Sequence, residues 1–210
     1  MFIETTATAR SLSQRKAVLG VGINDSIYNV QLTIDGKLYI CPLYNRWLNM
    51  LRRCYSENYQ KTKPTYRGCS VCIEWLTFSA FSLWMSNQDW KGNCLDKDII
   101  KSGNKIYSPE MCAFVSQEVN NAFSDKKKRE GLSSGVTICK RNKKYESQFY
   151  SEKGKKFLGY FDTDKQAGDA YAKEKANHLI ELALTQSYEK IKIGLIDHAK
   201  GLCIARGISL

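Results

Sequence analysis

This chain of 210 residues is poor in histidine, in acids relative to bases, and in long apolar runs, and each shortage removes a class of protein. Its two histidines, His178 and His198, both fall near the C-terminal end and read as ordinary polar positions rather than a ligand set. No stretch of about eighteen apolar residues exists, so no helix is expected to cross a membrane and a membrane is not an expected partner. The first sixteen residues are polar and rich in Thr and Ser, without the apolar core of a secretory leader, and the expected compartment is cytoplasmic. The eight cysteines are therefore expected as reduced thiols. Cys69 and Cys72 make one CxxC pair without a second, and Cys41, Cys54, Cys94 and Cys112 are irregularly spaced, so a structural zinc is not expected. Asp and Glu number 21 against 32 Lys and Arg. The resulting net charge of +11 favours a polyanionic partner, for which nucleic acid is the natural candidate.

What the chain does have is apolar content sufficient for packed cores, 43% with 11% aromatic, in a length that fits one large domain or two small ones. Its charge is uneven. Between residues 125 and 156 stand eleven Lys and Arg against four Asp and Glu, which places most of the net charge there. Residues 18–23, 28–34 and 37–40 read as strands, the last two joined by a tight Asp35-Gly36 turn. Pro42 opens a helix whose Leu43, Trp47, Met50, Leu51 and Cys54 recur on one face, flanked by Arg46, Arg52 and Arg53 on a solvated or phosphate-facing edge. A second apolar helix carries Trp75, Phe78, Phe81, Leu83, Trp84 and Met85. Leu95 to Ile100 reads as a strand, Tyr107 to Val115 as another, and Ser116 as the cap of a helix with Val119, Asn120 and Phe123.

Farther on, residues 135–138, 144–150 and 156–161 read as three short strands. Thr163 with Gln166 three residues later forms a capping box for a helix bearing Ala167, Ala170, Tyr171 and Glu174. The side chains turned away from that helix are expected to include Arg141, Lys143, Lys144, Gln148, Tyr150 and Lys155, donor types that reach phosphates and base edges. Gly135-Val136, Leu158-Gly159-Tyr160-Phe161-Asp162-Thr163 and Ala167-Gly168-Asp169-Ala170-Tyr171, in this order, resemble the Apetala-type (ethylene-response-factor) DNA-binding domain. The resemblance implies a three-stranded sheet plus helix whose sheet contacts duplex DNA.

The preceding segment, with Tyr66-Arg67-Gly68, Val71-Cys72, Glu74-Trp75, Phe78, Phe81, Trp84, Leu95-Asp96, Tyr107-Ser108-Pro109-Glu110, Cys112 and Asn120, resembles the HNH homing endonucleases of bacteriophages. Together the two resemblances cover about residues 42 to 176 and imply a bacterial host cytoplasm if the chain is phage-encoded. HNH chemistry uses a general base, usually a neutral His, and a divalent metal at the leaving oxygen. Here Asp96-Lys97-Asp98 stands where the family has its Asp-His-Ile, and Met111 stands where it has its middle Asn, while Asn120 matches the Asn of the last helix. The catalytic residues so implied are Asp96, Lys97, Asp98 and Asn120, with Asp96 and Asp98 as ligands of Mg²⁺. A Lys base requires a depressed pKa, and strand alternation sets Lys97 on the face opposite the two carboxylates.

The expected fold is therefore α+β. It comprises a tail (1–16), an HNH-like ββα module with N-terminal strands (17–124), a basic linker (125–130), a DNA-binding module of three-stranded sheet plus helix (131–184) and a C-terminal extension (185–210). The expected function is duplex DNA binding, with Arg46, Arg52, Arg53 and Arg67 holding backbone beside the first module. Two rivals stand for the rest: a metal-dependent nicking or cleaving endonuclease, or a catalytically inactive regulator or counter-defence factor that engages a host protein.

Overall fold

The computed structural model describes residues 2–123 and 131–210; the basic run at residues 126–129 lies outside them. Helix makes up 42% and strand 21%, a mixture of α and β elements. The chain divides into two compact units, Met1–Lys97 with Gly103–Phe114 and Asp98–Ser102 with Val115–Leu210. This division differs from the module ends read from sequence, because residues 98–102 and the helix after Ser116 group with the C-terminal part.

In the first unit the N-terminal residues are built in rather than trailing. Thr8 caps α1 (Ala9–Ser13), Ala7 donates its N–H to the Ile27 carbonyl at 3.0 Å, and the Arg15 guanidinium donates to the carbonyls of Asn24, Ser26 and Tyr28. The strand expected at 18–23 is instead a turn closed by Val18 N–H to Gly22 O at 2.8 Å; Leu19 at φ 52° bends the backbone out of the extended region. β1 (Gln31–Ile34) and β2 (Lys37–Ile40) pair antiparallel around Asp35-Gly36, both at positive φ as a two-residue hairpin turn of matching twist requires.

Pro42 supplies the first turn of α2 (Pro42–Tyr55), which buries Tyr44, Trp47, Met50, Leu51 and Cys54 along one stripe. Then follow α3 (Glu57–Thr62), β3 (Ser70–Val71), α4 (Phe78–Ser86), β4 (Cys94–Asp96), β5 (Ile106–Tyr107) and β6 (Ala113–Val115). β3 pairs in parallel with β5, and β4 pairs with β6. The core is aromatic: Trp47, Trp75, Phe78 and Phe81 are buried, Trp75 meets Phe81 edge-on at 5.1 Å, and Trp47 Nε1 donates to the Trp75 carbonyl at 2.7 Å.

The second unit holds α5 (Gln117–Phe123), whose Val119 N–H donates to the Ser116 hydroxyl at 3.2 Å, as the cap reading anticipates. β7 (Val136–Ile138), β8 (Tyr145–Ser151) and β9 (Gly154–Phe161) form an antiparallel sheet in chain order. α6 (Asp164–Leu184) begins at Thr163, whose hydroxyl accepts from Gln166 N–H at 3.2 Å. It lays Ala167, Tyr171, Ala172 and Ala176 against the sheet, whose Val136, Ser147 and Phe149 are buried. Small side chains on that helical face let helix and sheet approach closely. α7 (Glu189–Ile204) packs along α6 and buries Ile191, Leu195, Ala199 and Cys203, which makes the C-terminal extension part of this unit.

Candidate nucleic-acid interface

One face of the three-stranded sheet is taken by α6, and cross-strand partners share a face, so the register sorts the remaining side chains. Buried Ser147 and Phe149 point at the helix, and Glu146, Gln148 and Tyr150 point away. Their partners on β9 are Tyr160, Phe157 and Lys155 in that order, and Thr137 on β7 stands opposite Glu146. Gln148, Tyr150 and Lys155, three of the side chains expected at a DNA surface, thus lie together on the outward face. Lys156 turns to the other side and reaches Glu174 of α6 at 2.7 Å.

Phe157 and Tyr160 are three residues apart, and simple alternation would put them on opposite faces. They share the outward face because Ser147 pairs with Gly159 while Gln148 pairs with Phe157, leaving Leu158 as the extra residue of a bulge. The two rings meet edge-on at 5.1 Å. With Tyr150 they make an aromatic patch whose members are 42 to 51% exposed, far more than rings that only fill a core. Along the same face Tyr150 donates its hydroxyl proton to Gln148 Oε1 at 3.0 Å, and Gln148 Nε2 donates to Glu146, so the Gln148 amide is held in one orientation.

Arg141, Lys143 and Lys144 occupy the β7–β8 turn rather than the strands. The turn is closed by Cys139 N–H to Lys144 O and Lys143 N–H to Cys139 O, each 2.9 Å, with Lys143 at φ 57°. Together with Lys140 they put four exposed cations in five residues at the Tyr160 end of the sheet. Lys144 also meets Asp162 at 3.1 Å. The Cys139 thiol beside them is held below its ordinary pKa by the backbone N–H groups of Asn142 and Arg141, with a smaller contribution from the Tyr160 hydroxyl.

In the first unit Arg52 and Arg67 are exposed and Arg46 is half-buried. Arg53, expected on the phosphate-facing edge, turns inward: its guanidinium donates to the Leu95 carbonyl and the Tyr107 hydroxyl, each at 3.4 Å, and lies over the Tyr66 ring at 5.4 Å. Burial opposes its charge, but the Tyr107 and Tyr66 phenols more than offset that, and its pKa is raised. This arginine ties α2 to β4 and β5.

The residues of the nuclease resemblance are placed as follows. The strand ends at Asp96, two residues short of Asp98, so the strand alternation expected over 95–100 does not operate there. Lys97 is buried, its ammonium donates to the Asn104 carbonyl at 2.7 Å, and Asn104 Nδ2 donates back to Lys97 O at 2.9 Å. A lysine so engaged is positioned as a structural clamp rather than as a base. The Asp98 carbonyl meets His198 Nε2 at 3.2 Å, and Asn120 is half-buried on α5. Among the described residues no group of three or more His, Cys, Asp and Glu is arranged to hold a metal ion. No protein-family model, no curated protein and no solved structure matches this chain.

Proposed function

We propose that this chain binds duplex DNA through the outward face of its three-stranded sheet. The observation that carries the reading is the gathering on that face of Gln148, Tyr150, Lys155, Phe157 and Tyr160, with the basic turn from Lys140 to Lys144 at one end. Two strand spacings of about 4.8 Å set the outer strands about 10 Å apart. That width enters a major groove about 12 Å wide. There the oriented Gln148 amide offers the donor and acceptor pair that reads adenine, the rings cover thymine methyls or sugars, and the turn cations meet phosphates. Substituting Lys143, Lys144 and Lys155 together by Ala is expected to weaken binding and to lower the slope of log affinity against log salt by about 3. Gel retardation over a salt series measures both; an unchanged affinity and slope would sink the sheet assignment.

A second reading, metal-dependent nicking, draws on the pairing of β4 with β6 and the helix α5 directly after β6, the strand, strand, helix order of HNH sites. It assigns Asp96, Asp98 and Asn120 to the reaction and Mg²⁺ to the two carboxylates. Supercoiled plasmid incubated with Mg²⁺ or Mn²⁺, against EDTA and against Asp98→Ala, separates the two. Metal-dependent nicking lost in the variant makes the chain an endonuclease. Salt-sensitive retardation without nicking makes it a DNA-binding regulator, and a host-protein partner belongs to that branch.

A further inference from the structure

β8 is the middle strand of its sheet, so in a groove that the outward face enters it lies farthest from the phosphates, and its outward side chains meet base edges. Those side chains are Glu146, Gln148 and Tyr150. The cations stand at the two ends, Lys140 to Lys144 in the β7–β8 turn and Lys155 opposite Tyr150. Glu146 is thus a carboxylate within a face otherwise suited to a polyanion. Lys144, two residues away, pairs with Asp162 instead. Among the described residues Glu146 enters no ion pair, and the hydrogen bond it accepts comes from Gln148 Nε2.

Glu146 is half-buried between Thr137 of β7 and Tyr160 of β9. A carboxylate there repels any phosphate, whereas among base edges it has one well-matched partner, the N4 amine of cytosine. Adenine also offers an amine, but its N7 acceptor lies beside that amine and repels a carboxylate. A carboxylate has about four lone-pair sites, and the Gln148 amide takes one, so acceptor capacity is left over. The same network leaves Gln148 one N–H and one lone pair, since Tyr150 donates to the other lone pair of Oε1. That is the pair an adenine edge requires.

We infer that Glu146 is a specificity-determining residue that accepts from the N4 amine of a cytosine while Gln148 takes an adenine. Residues two apart on an antiparallel strand are separated by about 6.8 Å and base pairs rise by about 3.4 Å, so the C·G and A·T pairs fall within a window of about three base pairs. The inference rests on the proposed DNA reading and adds to it the sequence that the face selects.

The test is selection of duplexes from a randomised pool by the full chain and by Glu146→Gln, followed by gel retardation of the selected sites over a salt series. The unsubstituted chain is expected to enrich a C·G and an A·T pair within that window. Glutamine prefers adenine, so Glu146→Gln is expected to shift the ratio of affinities for C and A at the first position by at least about fivefold toward A. The second position and the salt slope, which counts phosphate contacts, should stay as they were. Glutamine also keeps an acceptor for the Gln148 amide, so a carboxylate that only orients Gln148 would leave both preferences unchanged, and that result overturns the inference. Selection that enriches no C·G pair in the window overturns it as well, and it needs no variant, so it decides even where Glu146→Gln does not fold. Both failures leave salt-sensitive duplex binding standing; a chain that retards no duplex loses the DNA reading and this inference together.

Discussion

Gly135 sits at φ 73°, and a Cβ placed there would stand 2.0 Å from Cδ2 of Tyr171. Gly135→Ala combines a left-handed backbone with a steric overlap against a buried ring, and a loss of about 2 to 4 kcal/mol is expected in urea unfolding. A loss below about 1 kcal/mol would show that Tyr171 moves aside freely. Thiol reactivity is a second residue-scale outcome. Cys139 is the thiol held below its ordinary pKa by the Asn142 and Arg141 N–H groups, whereas burial pushes Cys54 and Cys112 up to about 12. Iodoacetamide at pH 8 should label Cys139 first, read by peptide mass, and Cys139→Ser should remove the fast phase. The side chains of Gln148, Tyr150 and Lys155 were legible in the sequence because alternation from a buried Phe149 fixes them. Arg53 was not: an arginine on a helix flank reads as solvated, and the Tyr107 and Leu95 acceptors that draw it inward lie about 40 to 55 residues away.

At the scale of elements, signals carried by a few neighbouring residues were the readable ones. Thr163 and Gln166, Ser116 before α5, and Pro42 at the head of α2 all mark helix starts that the structure has. Thr163→Ala removes a hydroxyl that holds a first-turn N–H of α6 and should cost about 1 kcal/mol in the same unfolding experiment. No measurable loss would mean that the Ser133 contacts to Asp164, at 2.7 and 2.9 Å, hold the helix start unaided. Elements set by distant pairing were not readable. β4 stops at Asp96, where Asn104 takes both the carbonyl and the ammonium of Lys97, an exchange that no local pattern announces. The bulge at Leu158 is likewise visible only in the pairing of β8 with β9, and it alone recruits Phe157 and Tyr160 to one face.

For the whole molecule, the carboxylates held below their ordinary pKa fall in the second unit and the strongly raised thiols in the first. Asp169 of the second unit is held below its ordinary pKa by hydrogen bonds from Lys165 and Arg206, and Glu181 by Lys153. Depressed carboxylates stabilise the folded state above the ordinary carboxylate range, and that stability is lost as pH falls through their folded values. Cys54 and Cys112 of the first unit are raised, so their contribution is present below about pH 9 and is lost as pH rises toward 12. Acid is therefore expected to open the second unit first, and alkali the first. The aromatic core described above makes this separable without labels. All four tryptophans, Trp47, Trp75, Trp84 and Trp90, belong to the first unit, and the second has none. Indole emission is thus a private reporter of one half of the chain: an acid transition should pass in far-ultraviolet circular dichroism with little change of emission, and an alkaline one should appear in the fluorescence first.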